Sequence, residues 1–77
     1  MKSWQIYLSL QEHTLLVQLL DFIDALEDDG YGRPEWPTRN VLLWRVDCED
    51  MSFEGDLEVH ATNHGVPTWD LSIAEAS

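Results

Sequence analysis

The sequence predicts an α+β protein, a two-layer sandwich of order β-α-β-β-β with one long helix packed on a mainly antiparallel four-stranded sheet. Three observations carry that expectation. Residues 3–10, SWQIYLSL, alternate apolar and polar side chains with the period of a half-buried strand. The spacing of the following stretch, up to Asp29, is that of a helix. Alternation then returns in three more segments after a loop rich in Gly and Pro.

In the first strand Trp4, Ile6, Leu8 and Leu10 point one way, and Ser3, Gln5, Tyr7 and Ser9 the other. Ser9 followed by Glu12 fits a capping box, so the helix is expected from Leu10 or Gln11 to Asp29, with Gly30 as its left-handed cap. Leu15, Leu16, Leu19, Leu20, Phe22, Ile23 and Leu26 form its expected core stripe. Thr14, Val17, Gln18, Asp21, Asp24 and Asp28 face away from it, with Glu27 at the margin.

Residues 30–40, GYGRPEWPTRN, are expected to be a loop. In the next strand Leu42, Trp44, Val46 and Cys48 share one face, and Val41, Leu43, Arg45 and Asp47 the other. From Phe53 the odd positions to Ala61 are apolar or small, and Glu54, Asp56, Glu58 and His60 alternate with them, which predicts a third strand. After the turn signal Asn63-His64-Gly65, the stretch 67–76 places Trp69, Leu71 and Ile73 inward as a fourth. The helix returns the chain to the start of the first strand, so the second strand is expected parallel to the first through a right-handed crossover. The expected core joins Leu16, Leu19, Leu20, Ile23, Trp44, Val46, Leu57, Val59, Trp69 and Leu71.

Seventy-seven residues allow one small domain, 1–77, which buries only about 60% of its unfolded surface and needs dense apolar patterning. The 44% apolar content and four tryptophans meet that need, whereas disordered chains lack such residues. The single Cys48 forms no internal disulfide and fits a reducing cytoplasm. MKSWQIYLSLQE has no sustained apolar region of a signal peptide, and nothing approaches a membrane span of ~20 apolar residues. A cytoplasmic protein is expected.

Catalytic chemistry finds little support. Cys48, His60 and His64 give a C-x11-H-x3-H string with only three ligands, where a structural zinc site wants four. Glu58 and His60 share a strand face on this reading, an acid beside a base, without a nucleophile or a phosphate loop to complete a site. No catalytic, cofactor or metal residue is therefore assigned, and no enzyme is expected. The four basic residues, Lys2, Arg33, Arg39 and Arg45, are scattered, which argues against direct nucleic-acid binding.

What remains is charge. Fifteen acids against four bases leave a net charge of −11, which repels nucleic acid and anionic membrane and attracts basic protein surfaces. Asp21, Asp24 and Asp28 line one helix face at steps of about 4.5 and 6 Å. Glu54, Asp56 and Glu58 follow at ~6.8 Å on a strand, with Asp47 and Asp70 beside them on neighbouring strands. These steps are comparable with phosphate spacing. Asp28 and Asp29 sit at a helix C-terminus, where the macrodipole disfavours carboxylates. Trp36, stiffened between Pro34 and Pro37, is a candidate interface anchor.

With these rows, Asp21/Asp24/Glu27/Asp28/Asp29 and Asp47/Glu49/Asp50/Glu54/Asp56/Glu58, the chain resembles the small acidic inhibitors of phages and mobile elements, the anti-CRISPR and DNA-mimic proteins. The resemblance lies in length, charge and compactness over the whole chain, not in a motif. It implies an inhibitor that occludes a basic, nucleic-acid-binding surface of a larger partner, such as a CRISPR effector subunit. The candidate partner-binding residues are Asp21, Asp24, Glu27, Asp28, Asp29, Trp36, Asp47, Glu54, Asp56 and Glu58. An antitoxin or immunity protein, or an acidic accessory subunit, are the alternatives.

Overall fold

The computed structural model describes residues 2–75. In chain order they form β1 (Lys2–Ser9), α1 (Leu16–Asp28), β2 (Glu35–Thr38), β3 (Val41–Cys48), α2 (Phe53–Asn63) and β4 (Leu71–Glu75), with a 3-10 turn at Thr68–Asp70 leading into β4. The sheet order is β2-β3-β1-β4 and all its neighbours are antiparallel. The α+β class stands, with order β-α-β-β-α-β, that of the ferredoxin-like split β-α-β arrangement. That arrangement hosts unrelated activities, so function has to be argued from side chains.

The expected β-α-β-β-β order with one long helix is corrected first at Phe53–Asn63, which is helical rather than extended. Phe53, Leu57 and Ala61 recur every four residues, and Leu57 and Ala61 are buried while Phe53 packs against the core. A spacing of four satisfies both a period of two and a helical period, so alternation alone does not decide this segment. Glu54 and Asp56 in the first turn complement the positive end of the helix dipole. Asp50 Oδ1 accepts a 2.9 Å hydrogen bond from the Ser52 N–H and tightens the turn that leads in. Val59, expected in the core, is consequently exposed on the outer side of α2.

The second correction is β2. It lies within the stretch expected to be loop and forms a hairpin with β3. Its edge position tolerates Pro37, which has no N–H to give a ladder. β1 and β2 are both antiparallel to β3, so β2, not β3, runs in the direction of β1 after the crossover helix. The expected parallel pairing of the first two strands is replaced by an antiparallel β1–β3 ladder, from Lys2↔Cys48 to Ser9↔Val41.

The third correction is the start of α1. Residues 10–15 are not helical: Gln11 N–H donates to Thr14 Oγ1 at 2.9 Å, and Thr14 N–H returns to the Gln11 carbonyl at 3.0 Å. A threonine side chain that binds backbone in this way competes with a helix and delays it to Leu16. No Ser9–Glu12 capping box forms there. The buried stripe narrows to Leu19, Phe22, Ile23 and Leu26, and Leu15, Leu16 and Leu20 are exposed. Trp69 is also turned out, 82% exposed, because Thr68–Asp70 coils before the strand begins. Ala76, the last residue of the expected fourth strand, lies outside the described residues.

Strand parity is as the alternation predicts. Trp4, Ile6 and Leu8 pair with Val46, Trp44 and Leu42 on the helix-facing side. Phe22 of α1 meets Trp44 edge-to-face at 5.8 Å, and Phe53 of α2 meets Trp4 at 6.0 Å. Both helices therefore cover the same face, and edge-to-face ring pairs add about 0.5–1.5 kcal/mol each beyond burial. The other face carries the buried Leu43 beside polar pairs: Ser3 donates to Asp47 at 2.8 Å, and Arg45 donates to Glu35 at 3.2 Å.

Candidate functional site

The two helices run antiparallel, since Gln18 of α1 lies against Gly65 beyond α2 while Asp29 meets His60 and Asp56. At 100° per residue, burying Leu19, Phe22, Ile23 and Leu26 forces Val17, Asp21, Asp24 and Asp28 onto the outward side of α1. The expected acidic row thus exists and is exposed. Arg33 neutralises its flank, with Nη1 at 2.6 Å from Glu27 Oε2 and 3.8 Å from Asp24 Oδ1. Asp21 and Asp28 have no basic partner among the described residues. Elsewhere Lys2 pairs with Glu75 at 3.7 Å and Arg45 with Glu35 at 3.2 Å, so of the four basic side chains only Arg39 stands outside these ion pairs among the described residues.

The expected strand row does not form. Glu54, Asp56 and Glu58 lie on α2, where a two-residue step turns about 200° around the axis. Glu54 and Glu58 line a groove of 260 Å³ between α2 and β4, together with Met51, Leu71 and Ile73. Asp56 turns to the other side, toward α1. Asp47 is in a different layer altogether, on the open face of the sheet with Ser3. Asp70 approaches His13 at 3.9 Å at the far end of the molecule. Trp36, on the edge strand β2, is 55% exposed.

A constellation that the strand assignment concealed sits where the end of α1 meets α2. His60 Nε2 lies 3.1 Å from Asp29 Oδ2 and 3.6 Å from Asp56 Oδ2. Tyr31, buried just after α1, donates its hydroxyl to Asp56 Oδ2 at 3.0 Å. A hydrogen bond with Asp56, and then one with His60, hold the Asp29 carboxyl below its ordinary range. Burial, followed by the bond to Asp56, pushes the Tyr31 hydroxyl far above its ordinary value and keeps it a donor. Asp56 and His60 are an i, i+4 pair, a signal readable in the sequence once residues 53–63 are taken as a helix.

The other sequence-derived chemistry is not assembled. Cys48, His60 and His64 do not converge; among the described residues Asp29, Asp56 and His60 are the group of ligand side chains close enough to hold one ion. His64 instead stands against the Phe22 ring at 6.5 Å. Glu58 and His60, expected side by side on a strand, project to different sides of α2.

No protein-family model matches the chain, and neither a curated protein nor a solved structure is significantly similar to it. No helix among the described residues is long and apolar enough to cross a membrane.

Proposed function

We propose that this protein is a non-enzymatic binding protein that occludes a basic, nucleic-acid-binding surface of a larger cytoplasmic partner, in the manner of a DNA-mimic inhibitor of a CRISPR effector complex. The observation that carries the reading is the outward row of Asp21, Asp24 and Asp28, in which Asp21 and Asp28 lack a basic partner of their own. Folding gains nothing from that row, since like charges three and four residues apart on a helix repel. A basic surface gains steering and register from it.

Asp29 and Asp56 extend the negative potential beyond the C-terminal end of α1. Glu27 belongs to the same flank but is partly answered by Arg33. Glu54 and Glu58 form a separate acidic edge beside β4, and Asp47 faces the opposite layer, so the partner engages the α1 face rather than all the acids at once. Trp36 on the β2 edge adds an exposed aromatic.

The test is competition. A partner captured from the source cell at low salt is loaded with its nucleic acid and titrated with this protein. Displacement of the nucleic acid, weakened by joint Asn substitution of Asp21, Asp24 and Asp28, is the expected result. Simultaneous binding of protein and nucleic acid rules the reading out.

A further inference from the structure

We infer that Asp29, Asp56 and His60 form a binding site for one divalent first-row transition-metal ion, separate from the acidic face of α1. The three ligand atoms all lie within 4.8 Å of one another. Around an ion with bonds of about 2.1 Å, neighbouring ligand atoms stand about 3.0 Å apart at 90° and about 3.4 Å apart at the tetrahedral angle. Of the observed separations from His60 Nε2, the 3.1 Å to Asp29 falls between those values and the 3.6 Å to Asp56 lies just above them. A single ion therefore fits between the three groups with small side-chain adjustments.

The donor set also selects the class of ion. One imidazole nitrogen with two carboxylate oxygens suits ions such as Zn²⁺, Co²⁺ and Mn²⁺, whereas Ca²⁺ wants six to eight oxygens. Tyr31 supplies an outer support, its hydroxyl fixing the Asp56 carboxylate from the buried side at 3.0 Å. Both carboxylates line a groove of 220 Å³ with Gly30, Tyr31, Val46 and Phe53, which leaves room for the ion's remaining water ligands.

The placement calls for a cation. Asp29 caps the negative C-terminal end of α1, and its carboxyl oxygen lies within 4.8 Å of one from Asp56. Neither Asp29 nor Asp56 has a lysine or arginine partner among the described residues, and His60 is their one potentially cationic neighbour. The Asp56–His60 pair on α2 and Asp29 at the end of α1, distant from that pair in sequence, are thus brought to one point, which diffuse surface acidity does not require.

The experiment is calorimetric titration of Zn²⁺ into the metal-stripped full chain at physiological ionic strength, with Ca²⁺ as the comparison ion. One Zn²⁺ per chain is expected, bound at least about tenfold more weakly in His60→Ala and in Asp29→Asn. Circular dichroism checks that each variant is folded. Should His60→Ala not fold, Asp29→Asn, at an exposed position, carries the test. Co²⁺ should give a visible absorption band that weakens in the same variants. The inference is overturned if Zn²⁺ shows no saturable one-to-one binding, or if Ca²⁺ binds as tightly. It is overturned equally if binding survives both variants and is lost in Cys48→Ser.

Discussion

The two halves of α1 share one buried stripe and differ completely outside it. Its N-terminal half shows Leu16, Val17 and Leu20 to solvent, preceded by the exposed Leu15, and Trp69 stands exposed at the same end of the molecule. From the middle of the helix onward it shows Asp21, Asp24, Glu27 and Asp28, followed by Asp29. The β1–β3 and β1–β4 registers extend this contrast through the fold. The hairpin between β2 and β3 lies at the apolar end, where the Leu10 N–H donates to the Asn40 carbonyl at 2.8 Å. Cys48, Glu75 and the acids before α2 lie at the other. Core packing therefore explains Leu19, Phe22, Ile23 and Leu26 and says nothing about the outer residues of either half. Those are free to serve a partner, one half by burial and the other by charge.

If this division is sound, the largest effect belongs to the shared stripe. Phe22, fully buried and edge-on to Trp44, should lose about 3–5 kcal/mol of stability as Phe22→Ala in urea denaturation. That is a large part of what a 77-residue domain holds, so unfolding at 37 °C is the expected phenotype. A loss under 1 kcal/mol would mean the helix is held by something other than this stripe. Next comes the tie between the acidic end of α1 and α2. Tyr31→Phe removes one hydrogen bond to Asp56 without opening a cavity, and should cost about 1 kcal/mol by the same measurement.

The outer residues should behave differently at the two ends. Leu16→Ser with Leu20→Ser should change stability by no more than about 0.5 kcal/mol per site, because both side chains are already more than half exposed. The same pair should reduce partner binding if the apolar half contributes area to the interface. A large destabilisation would show that these leucines pack in a way their exposure does not suggest. Asn substitution of Asp21, Asp24 and Asp28 should leave the melting temperature unchanged or raise it by up to a few degrees, since exposed pairs such as Asp24–Arg33 contribute little. A lower melting temperature would make the row structural and remove the argument for a basic partner.

How far this contrast could be read from sequence depends on which periods were unambiguous. β1 and β3 alternate apolar and polar residues cleanly, and their faces and the central core residues Leu19, Ile23, Trp44 and Leu57 are legible. Phe53, Leu57 and Ala61 obey two periods at once, and the acids flanking them, a helix-start signal, decide for helix. Missing that helix hid the Asp56–His60 pair and with it the meeting point at Asp29. Pro34 and Pro37 disguised β2, because proline signals loop everywhere except at a sheet edge. The acidic face of α1 was legible because it needs only the helix period. The site between the helices was not, because it depends on how α1 and α2 pack.

The smallest expected effect concerns Asp50, in the acidic turn that opens α2. Its carboxyl is held below the ordinary value of 3.8, mainly by the backbone N–H of Ser52 and then by the Ser52 side chain. A carboxyl with a lowered folded-state pKa stabilises the fold above its unfolded pKa and loses that contribution as pH falls through the lower folded value. Wild type should therefore melt slightly above Asp50→Asn at pH 7, and the gap should close as pH drops below about 4. Asn keeps a side-chain oxygen that can accept the Ser52 N–H, so what it loses is the charge facing the positive end of α2. A gap that stays constant from pH 7 to pH 2.5 would mean Asp50 acts by turn geometry alone.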